Sequence, residues 1–210
     1  MLSRVNPLRL ARRETPFDDP EWQFELKHDG FRAVAYIDGE RARLVSRNQH
    51  RFDDFAPLAS DIARTVHGTP VVLDGEIVSL GPDGRAQFYE LMARRGPTYY
   101  YAFDLLWIDG EDLRDLPLAE RKDRLRALVP DAESRLLYVD HIVEQGTALF
   151  ERVCAMDLEG IVAKRTSGLY REGTTWLKIK NRAYSQAEGR GDVFDRRREK
   201  TSVRRGIISE

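Results

Sequence analysis

The chain has one cysteine, Cys154, among 210 residues, so it cannot close a disulfide within itself. Cys154 sits in the helical-looking stretch Thr147 to Asp157 beside Leu149, Phe150 and Val153, where core packing is the expected role. The four histidines, His28, His50, His67 and His141, show no metal-ligand spacing with it or with one another, which excludes zinc and thiol chemistry. No apolar run approaches the roughly eighteen residues of a membrane span. The Arg-rich start MLSRVNPLRLARRE lacks the apolar centre of a signal peptide, so a cytoplasmic protein with no membrane partner is expected. Also missing are G-x-x-x-x-G-K-[ST] and G-x-G-x-x-G, so a bound nucleotide would not be held by a P-loop or a Rossmann turn. The chain lacks net charge too: 34 Lys and Arg stand against 35 Asp and Glu, and overall charge makes no case for nucleic acid. The basic residues gather locally instead, in Arg41-Arg43-Arg47-Arg51, in Lys164 to Lys180, and in a tail bearing Arg196, Arg197 and Arg198.

What the chain does have is enough apolar residue, 41%, for one large or two small domains. In FELKHDGFR, alternation puts Trp22, Phe24 and Leu26 on one face of a strand and Gln23, Glu25 and Lys27 on the other. Residues two apart on a strand are about 6.5 Å from each other, so Glu25 and Lys27 can address one ligand. Asp29-Gly30 follows as turn chemistry. Arg32 to Ile37 and Arg41 to Arg47 read as a hairpin turning at Asp38-Gly39, which would set Arg47 opposite Gly30. Pro70 to Leu80 reads as a strand with Val72, Asp74, Glu76 and Val78 on one face and Val71, Leu73 and Ile77 on the other. Its two carboxylates are costly there unless paired or bound to metal.

Further along, Gln87 to Arg95 reads as helix, Thr98 to Ile108 as strand, and Leu118, Lys122, Leu125 and Leu128 recur at helical spacing. Arg135 to Val143 reads as a strand, Gln145 to Asp157 as helix, and Gly160 to Arg165 and Thr175 to Lys180 as strands. In the last, Trp176, Lys178 and Lys180 share a face opposite Leu177 and Ile179. The expected fold is α+β, mainly antiparallel sheets flanked by helices, spanning residues 1–195 as one domain. Residues 196–210, basic and poor in apolar side chains, read as a tail.

Six short motifs occur in order: Lys27-x-Asp29-Gly30-x-Arg32, Ser46-Arg47-Asn48, Asp74-Gly75-Glu76, Phe103-Asp104, Glu159-Gly160-Ile161-Val162-Ala163-Lys164 and Trp176-x-Lys178-x-Lys180. Singly, each has an ordinary structural reading as a surface charge, a bulge or a guarded edge. Together and in this order they resemble the nucleotidyltransferase (adenylation) domain of ATP-dependent DNA ligases, closest to the ligase domain of bacterial end-joining and repair ligases. The likeness runs from about Pro16 to Asp195.

The resemblance implies that Lys27 attacks the α-phosphorus of ATP to give lysyl-AMP, that AMP passes to the 5′-phosphate of nicked double-stranded DNA, and that the 3′-hydroxyl displaces it. It implies that Glu25 contacts adenine and Phe103 stacks on it. Asp29 and Arg32 orient ribose and nucleophile, and Glu76 and Glu159 hold Mg²⁺ or Mn²⁺. Lys164, Lys178 and Lys180 meet the α-phosphate, Arg47 meets the nick phosphate, and Arg196, Arg197 and Arg198 add DNA contacts. Only thirty residues follow Lys180, too few for the OB-fold domain such ligases carry, and no N-terminal DNA-binding domain is expected. A monomer is expected, with other repair or end-joining proteins as candidate partners. The competing readings are an RNA ligase or capping-type nucleotidyltransferase and, from another class, a non-catalytic module that binds nicks or ends.

Overall fold

The structure of the chain, a computed structural model, describes residues 4–131 and 133–187. In chain order the strands are β1 (Leu10–Arg12), β2 (Asp19–Leu26), β3 (Phe31–Asp38), β4 (Arg41–Ser46), β5 (Val71–Ser79), β6 (Thr98–Ile108), β7 (Glu111–Asp112), β8 (Leu136–Tyr138), β9 (His141–Glu144), β10 (Gly160–Arg165) and β11 (Trp176–Lys180). The α-helices are α1 (Ala56–Thr65), α2 (Phe88–Ala93), α3 (Leu118–Leu128) and α4 (Gly146–Ala155). The strands form two sheets, one ordered β4-β3-β5-β6-β7 with β8 beside β6, the other ordered β1-β11-β10-β2-β9. The pairings are antiparallel except β1 with β11 and β6 with β8. The expected α+β fold is therefore the one observed.

Period-two alternation explains the layering. On β3 and β5, Ala33, Ala35, Ile37, Val71, Leu73 and Ile77 face a core shared with Leu58 and Ile62 of α1 and Leu125 of α3. The opposite faces, through Val34, Tyr36 and Val72, pack on Val162 and Trp176 of the second sheet. That sheet's far side, Phe24, Ile161, Ala163 and Ile179, packs on Val153 of α4. The order is thus helices, sheet, sheet, helix. The faces expected for β5 and β11 hold, and the candidate charged side chains on them lie on the faces turned toward the other sheet.

Four expectations change. Arg135 to Val143 is two strands: β8 runs parallel to β6, and Val139-Asp140 carries the chain across to β9, which pairs with β2. An extended apolar run signals strand equally for either sheet, so the crossing left no mark in the pattern. The hairpin pairs Asp38 with Arg41, so Gly39 (φ +61°) and Glu40 make the turn and Arg47 falls beyond β4, level with Arg32 instead of Gly30. Cys154 is exposed, because Val153 takes the inward face of α4 and the next residue lies about 100° round the helix. Finally α1 and β1 were not anticipated: α1 buries Leu58, Ala59, Ile62 and Ala63, and the arm before β1 buries Val5 and Leu8. The expected boundary at residue 195 and the tail arginines Arg196, Arg197 and Arg198 lie outside the described residues. Among the described residues no helix is long and apolar enough to cross a membrane.

Candidate active site

Lys27 follows the last residue of β2 and is tied to the second sheet by its own backbone, whose N–H donates to the Gly160 carbonyl at 2.9 Å. Its Nζ donates to Glu159 Oε2 at 2.6 Å, and Lys180 Nζ lies 2.8 Å from Glu159 Oε1. Glu159 reaches both because the chain at Gly160 hugs β11. A Cβ there would stand 2.2 Å from the Ile179 carbonyl oxygen, at a φ of +150°, so only glycine fits. The Asp29-Gly30 turn is pressed against β5 in the same way, with a Gly30 Cβ falling 2.0 Å from the Ile77 oxygen. Asp29 is buried and accepts a hydrogen bond from the Tyr184 hydroxyl at 3.0 Å.

Deeper between the sheets, Glu25 on β2 meets two lysines: Lys164 Nζ at 2.5 Å from Oε2 and Lys122 Nζ, from α3, at 3.1 Å from Oε1. Lys164 also lies over the rings of Phe103 and Trp176, 4.5 and 4.1 Å from their centroids. The guanidinium of Arg32 stands over the same two rings. It forks onto Asp74 at 3.1 and 2.6 Å and donates to the Leu8 carbonyl at 2.6 Å. Tyr170 closes a ring, its hydroxyl donating to Asp74 at 2.7 Å and accepting from the Leu8 N–H at 3.3 Å. A second buried fork, Arg121 to Asp104 at 2.8 Å twice, pins α3 to β6.

Burial and neighbouring charge set the ionisation. Burial alone would raise the Glu25 carboxyl, but the charges of Lys122 and Lys164 outweigh it and hold the group below the usual carboxylate range. Glu159 is likewise kept low, against burial, by Lys27 and Lys180. Burial depresses Lys164, and burial with the Lys180 and Lys27 charges depresses Lys178. His28, stacked on Tyr101 at 3.9 Å, is pushed down to about 4 by burial and is neutral at pH 7.

Glu76 is the contrast: burial pushes it up to about 8 against the opposing charges of Lys27 and Arg32, the Glu159 charge adds to the rise, and among the described residues its carboxylate makes no hydrogen bond or close ion pair. Among the described residues no three His, Cys, Asp or Glu side chains converge as a metal cage. A hard cation that brings phosphate and water oxygens of its own needs only one or two protein carboxylates, and Glu76, which makes no close ion pair among the described residues and stands within the field of Glu159, fits that need.

Glu25, Lys27, Arg32, Glu76, Phe103 and Lys164 line one cavity, with Lys178 and Lys180 alongside on β11. The structure thus brings together most of the residues singled out from the sequence. The volume of that cavity is about 50 Å³, room for one or two waters. Arg47 is not brought there. It lines a separate cleft of about 1150 Å³ with Arg4, Arg9 and Arg171. Lys164 is fully buried against Glu25 and the rings of Phe103 and Trp176. Lys122, Arg121 and Tyr170 were missed as site residues. The available signal was Lys122 itself, a lysine inside the apolar stripe Leu118-Leu125-Leu128.

Residues 11–180 match the family model described as ATP dependent DNA ligase domain. The chain is 34% identical over 168 residues to the multifunctional non-homologous end joining protein LigD of Pseudomonas aeruginosa, an alignment covering 76% of this chain and 20% of that protein. It is 35% identical over 172 residues to a DNA ligase of Natronomonas pharaonis, covering 74% and 31%. Among solved structures it matches mycobacterial DNA ligase D complexed with ATP and MES with a TM-score of 0.74 at 27% identity, covering 84% of this chain and 60% of that one. The chain therefore spans between a fifth and a third of the length of these curated relatives.

Proposed function

Because the chain belongs to the ATP-dependent DNA ligase domain family, we propose that it is an adenylating unit that activates and seals nicked DNA in repair. The observation that carries this reading is the placement of Lys27 Nζ at the mouth of the Glu25–Phe103–Lys164 cavity, hydrogen-bonded to Glu159 and next to two further lysines on β11.

In this reading the purine enters between Phe103 and the Glu25–Lys164 pair. Nζ of Lys27 sheds its proton, for which Glu159 Oε2 at 2.6 Å is the nearest acceptor, and attacks the α-phosphorus. The N–P bond forms as the bond to pyrophosphate breaks, giving lysyl-AMP. Lys178 and Lys180 stabilise charge building on the α-phosphate oxygens. Glu76 and Glu159 would hold Mg²⁺ or Mn²⁺, which when bound neutralises the triphosphate. The 5′-phosphate of the nick then takes AMP from Lys27, and the 3′-hydroxyl attacks that phosphate, releasing AMP and joining the strands. Arg47 and the tail arginines Arg196, Arg197 and Arg198 are assigned to DNA phosphates, and the protein to the cytoplasm.

The test is incubation of the purified chain with divalent cation and ATP labelled at the α-phosphorus. A covalently labelled protein that loses its label to nicked duplex is the expected result, and an unlabelled protein would overturn the reading. Nicked RNA in place of DNA separates the RNA-ligase alternative. Deleting residues 196–210 is expected to weaken nick binding and to lower its salt slope by about one unit for every DNA phosphate the tail had neutralised, with self-labelling kept. Unchanged affinity across the salt series would remove the tail from this assignment.

A further inference from the structure

Lys122 is 1% exposed, stands 3.1 Å from Glu25 Oε1, and does not line the cavity that Glu25 and Lys164 line. It is anchored from two sides: its Nζ donates to the Val139 carbonyl at 2.5 Å and lies over the Tyr138 ring at 4.2 Å. The donor count around Glu25 is informative. A carboxylate oxygen has two lone-pair sites. Oε1 is filled by Lys122 and by the Gln23 side-chain amide at 3.1 Å, whereas among the described residues Oε2 has Lys164 alone. One acceptor site therefore remains on the cavity side of the carboxylate, next to an ammonium with a donor to spare. An exocyclic amine beside a ring nitrogen acceptor, the edge of a 6-aminopurine, matches that pair. A 6-oxopurine presents the same two functions in reversed order and matches only if the carboxylate turns.

We propose that Lys122 is a positioning residue for base recognition: by holding Glu25 in one orientation it makes the cavity select 6-aminopurine over 6-oxopurine nucleotides, without touching the nucleotide itself. This rests on the adenylation reading, in which the base meets Glu25. Lys164 alone neutralises the carboxylate but leaves it free to rotate, since the neutral Gln23 amide by itself does not fix Oε1. The loss of Lys122 should therefore appear in binding and selectivity and leave the chemical step at Lys27 nearly untouched.

The experiment measures self-labelling of the whole chain by ATP and by GTP over a concentration series, for the unaltered protein, Lys122→Met and Lys122→Arg. Lys122→Met is expected to raise the half-saturating ATP concentration about tenfold and to lower the ATP-over-GTP preference about tenfold, with the maximal rate within about threefold. Lys122→Arg, which keeps a cation beside Glu25, should restore most of the preference. Adding Lys122→Met to Glu25→Gln should cost no further selectivity, because the lysine acts through the carboxylate. A purely structural lysine would lower the melting temperature and leave half-saturation and preference unmoved in the folded fraction, which would overturn the proposal. Should Lys122→Met fail to fold, Lys122→Gln keeps a donor for Val139 and removes the charge, with the same two outcomes. An unaltered protein that takes no label from ATP refutes the adenylation reading and this inference with it, whereas a labelled protein whose preference ignores Lys122 refutes this inference alone.

Discussion

The two ends of the cavity between the sheets use the same residue types, lysine and glutamate, in opposite conditions. At the Glu25 end Lys122, Lys164 and the carboxylate are sealed, 1–2% exposed, and locked by hydrogen bonds and aromatic rings. At the Glu159 end the carboxylate is buried, but the lysines around it are not: Lys27 is 19% exposed and Lys180 is 44% exposed. A sealed ion pair has met its desolvation penalty at folding and cannot rearrange easily, so it serves shape. A half-exposed one exchanges partners readily, so it serves chemistry. On the adenylation proposed above, the difference teaches that water access, and not residue type, divides the roles of the two ends.

The sharpest way to break this comparison is at the nucleophile. Lys27→Ala is expected to lower self-labelling by at least about 10³-fold, since of the two lysines paired with Glu159 it is Lys27 that lines the cavity, while the melting temperature stays near its original value because Glu159 keeps Lys180. Lys27→Arg should fail equally, as a guanidinium stays protonated. Full labelling of either variant removes Lys27 from the chemistry.

At the sealed end the effect moves from rate to stability. Arg121→Leu strands the fully buried Asp104 and should destabilise the fold by about 3–5 kcal/mol, read from urea unfolding. A loss under about 1 kcal/mol would show that the sealed pairs are dispensable. Back at the open end, Glu159→Gln should slow labelling about 100-fold, worth about 2.7 kcal/mol, with little change in unfolding midpoint. An equal fall in both would erase the distinction between the two ends.

The smallest effect lies at their junction, in His28. Its folded value of about 4 lies below the ordinary 6.5, so the unfolded chain takes up a proton that the folded one refuses. The stability this contributes is full above about pH 6.5 and is lost as pH falls toward 4. The charges facing the ring are Glu25, Glu159 and Lys27. His28→Phe should therefore lose about 2 kcal/mol less than the original protein between pH 7 and pH 5, measured by denaturant unfolding at each pH. Identical pH profiles would place the acid sensitivity elsewhere.

Much of this arrangement was legible in the sequence. Strict alternation in β5 and β11 gave the correct faces for Asp74, Glu76, Lys178 and Lys180, and the ordered motifs brought Glu25, Lys27, Arg32, Phe103 and Lys164 to one cavity. What stayed hidden depends on pairing between distant segments. Nothing local in Leu10–Arg12 says that it joins β11, and nothing in Leu136 to Val143 says that it changes sheets. On β6, bulged pairings between Val72 and Leu73 and between Asp74 and Gly75 shift the face on which its side chains fall, so Asp104 could not be assigned to Arg121 by counting. Arg47 went astray for a related reason, a hairpin register two residues away from the expected one.

The pairing of β1 with β11 sets an order of events during synthesis. Leu10 lies against Trp176 and Arg12 against Lys178, so the strand that carries Lys178 and Lys180 gains its outer neighbour from a segment more than 160 residues earlier. The larger sheet, built through β7 from segments close in sequence apart from the later β8, can condense while the ribosome is still at work. The smaller sheet must wait for residue 180, and until then the arm bearing Val5 and Leu8 has no β11 beside it. Lys178 and Lys180 therefore come into register with Lys27 and Glu159 last, in a molecule whose other half is already folded.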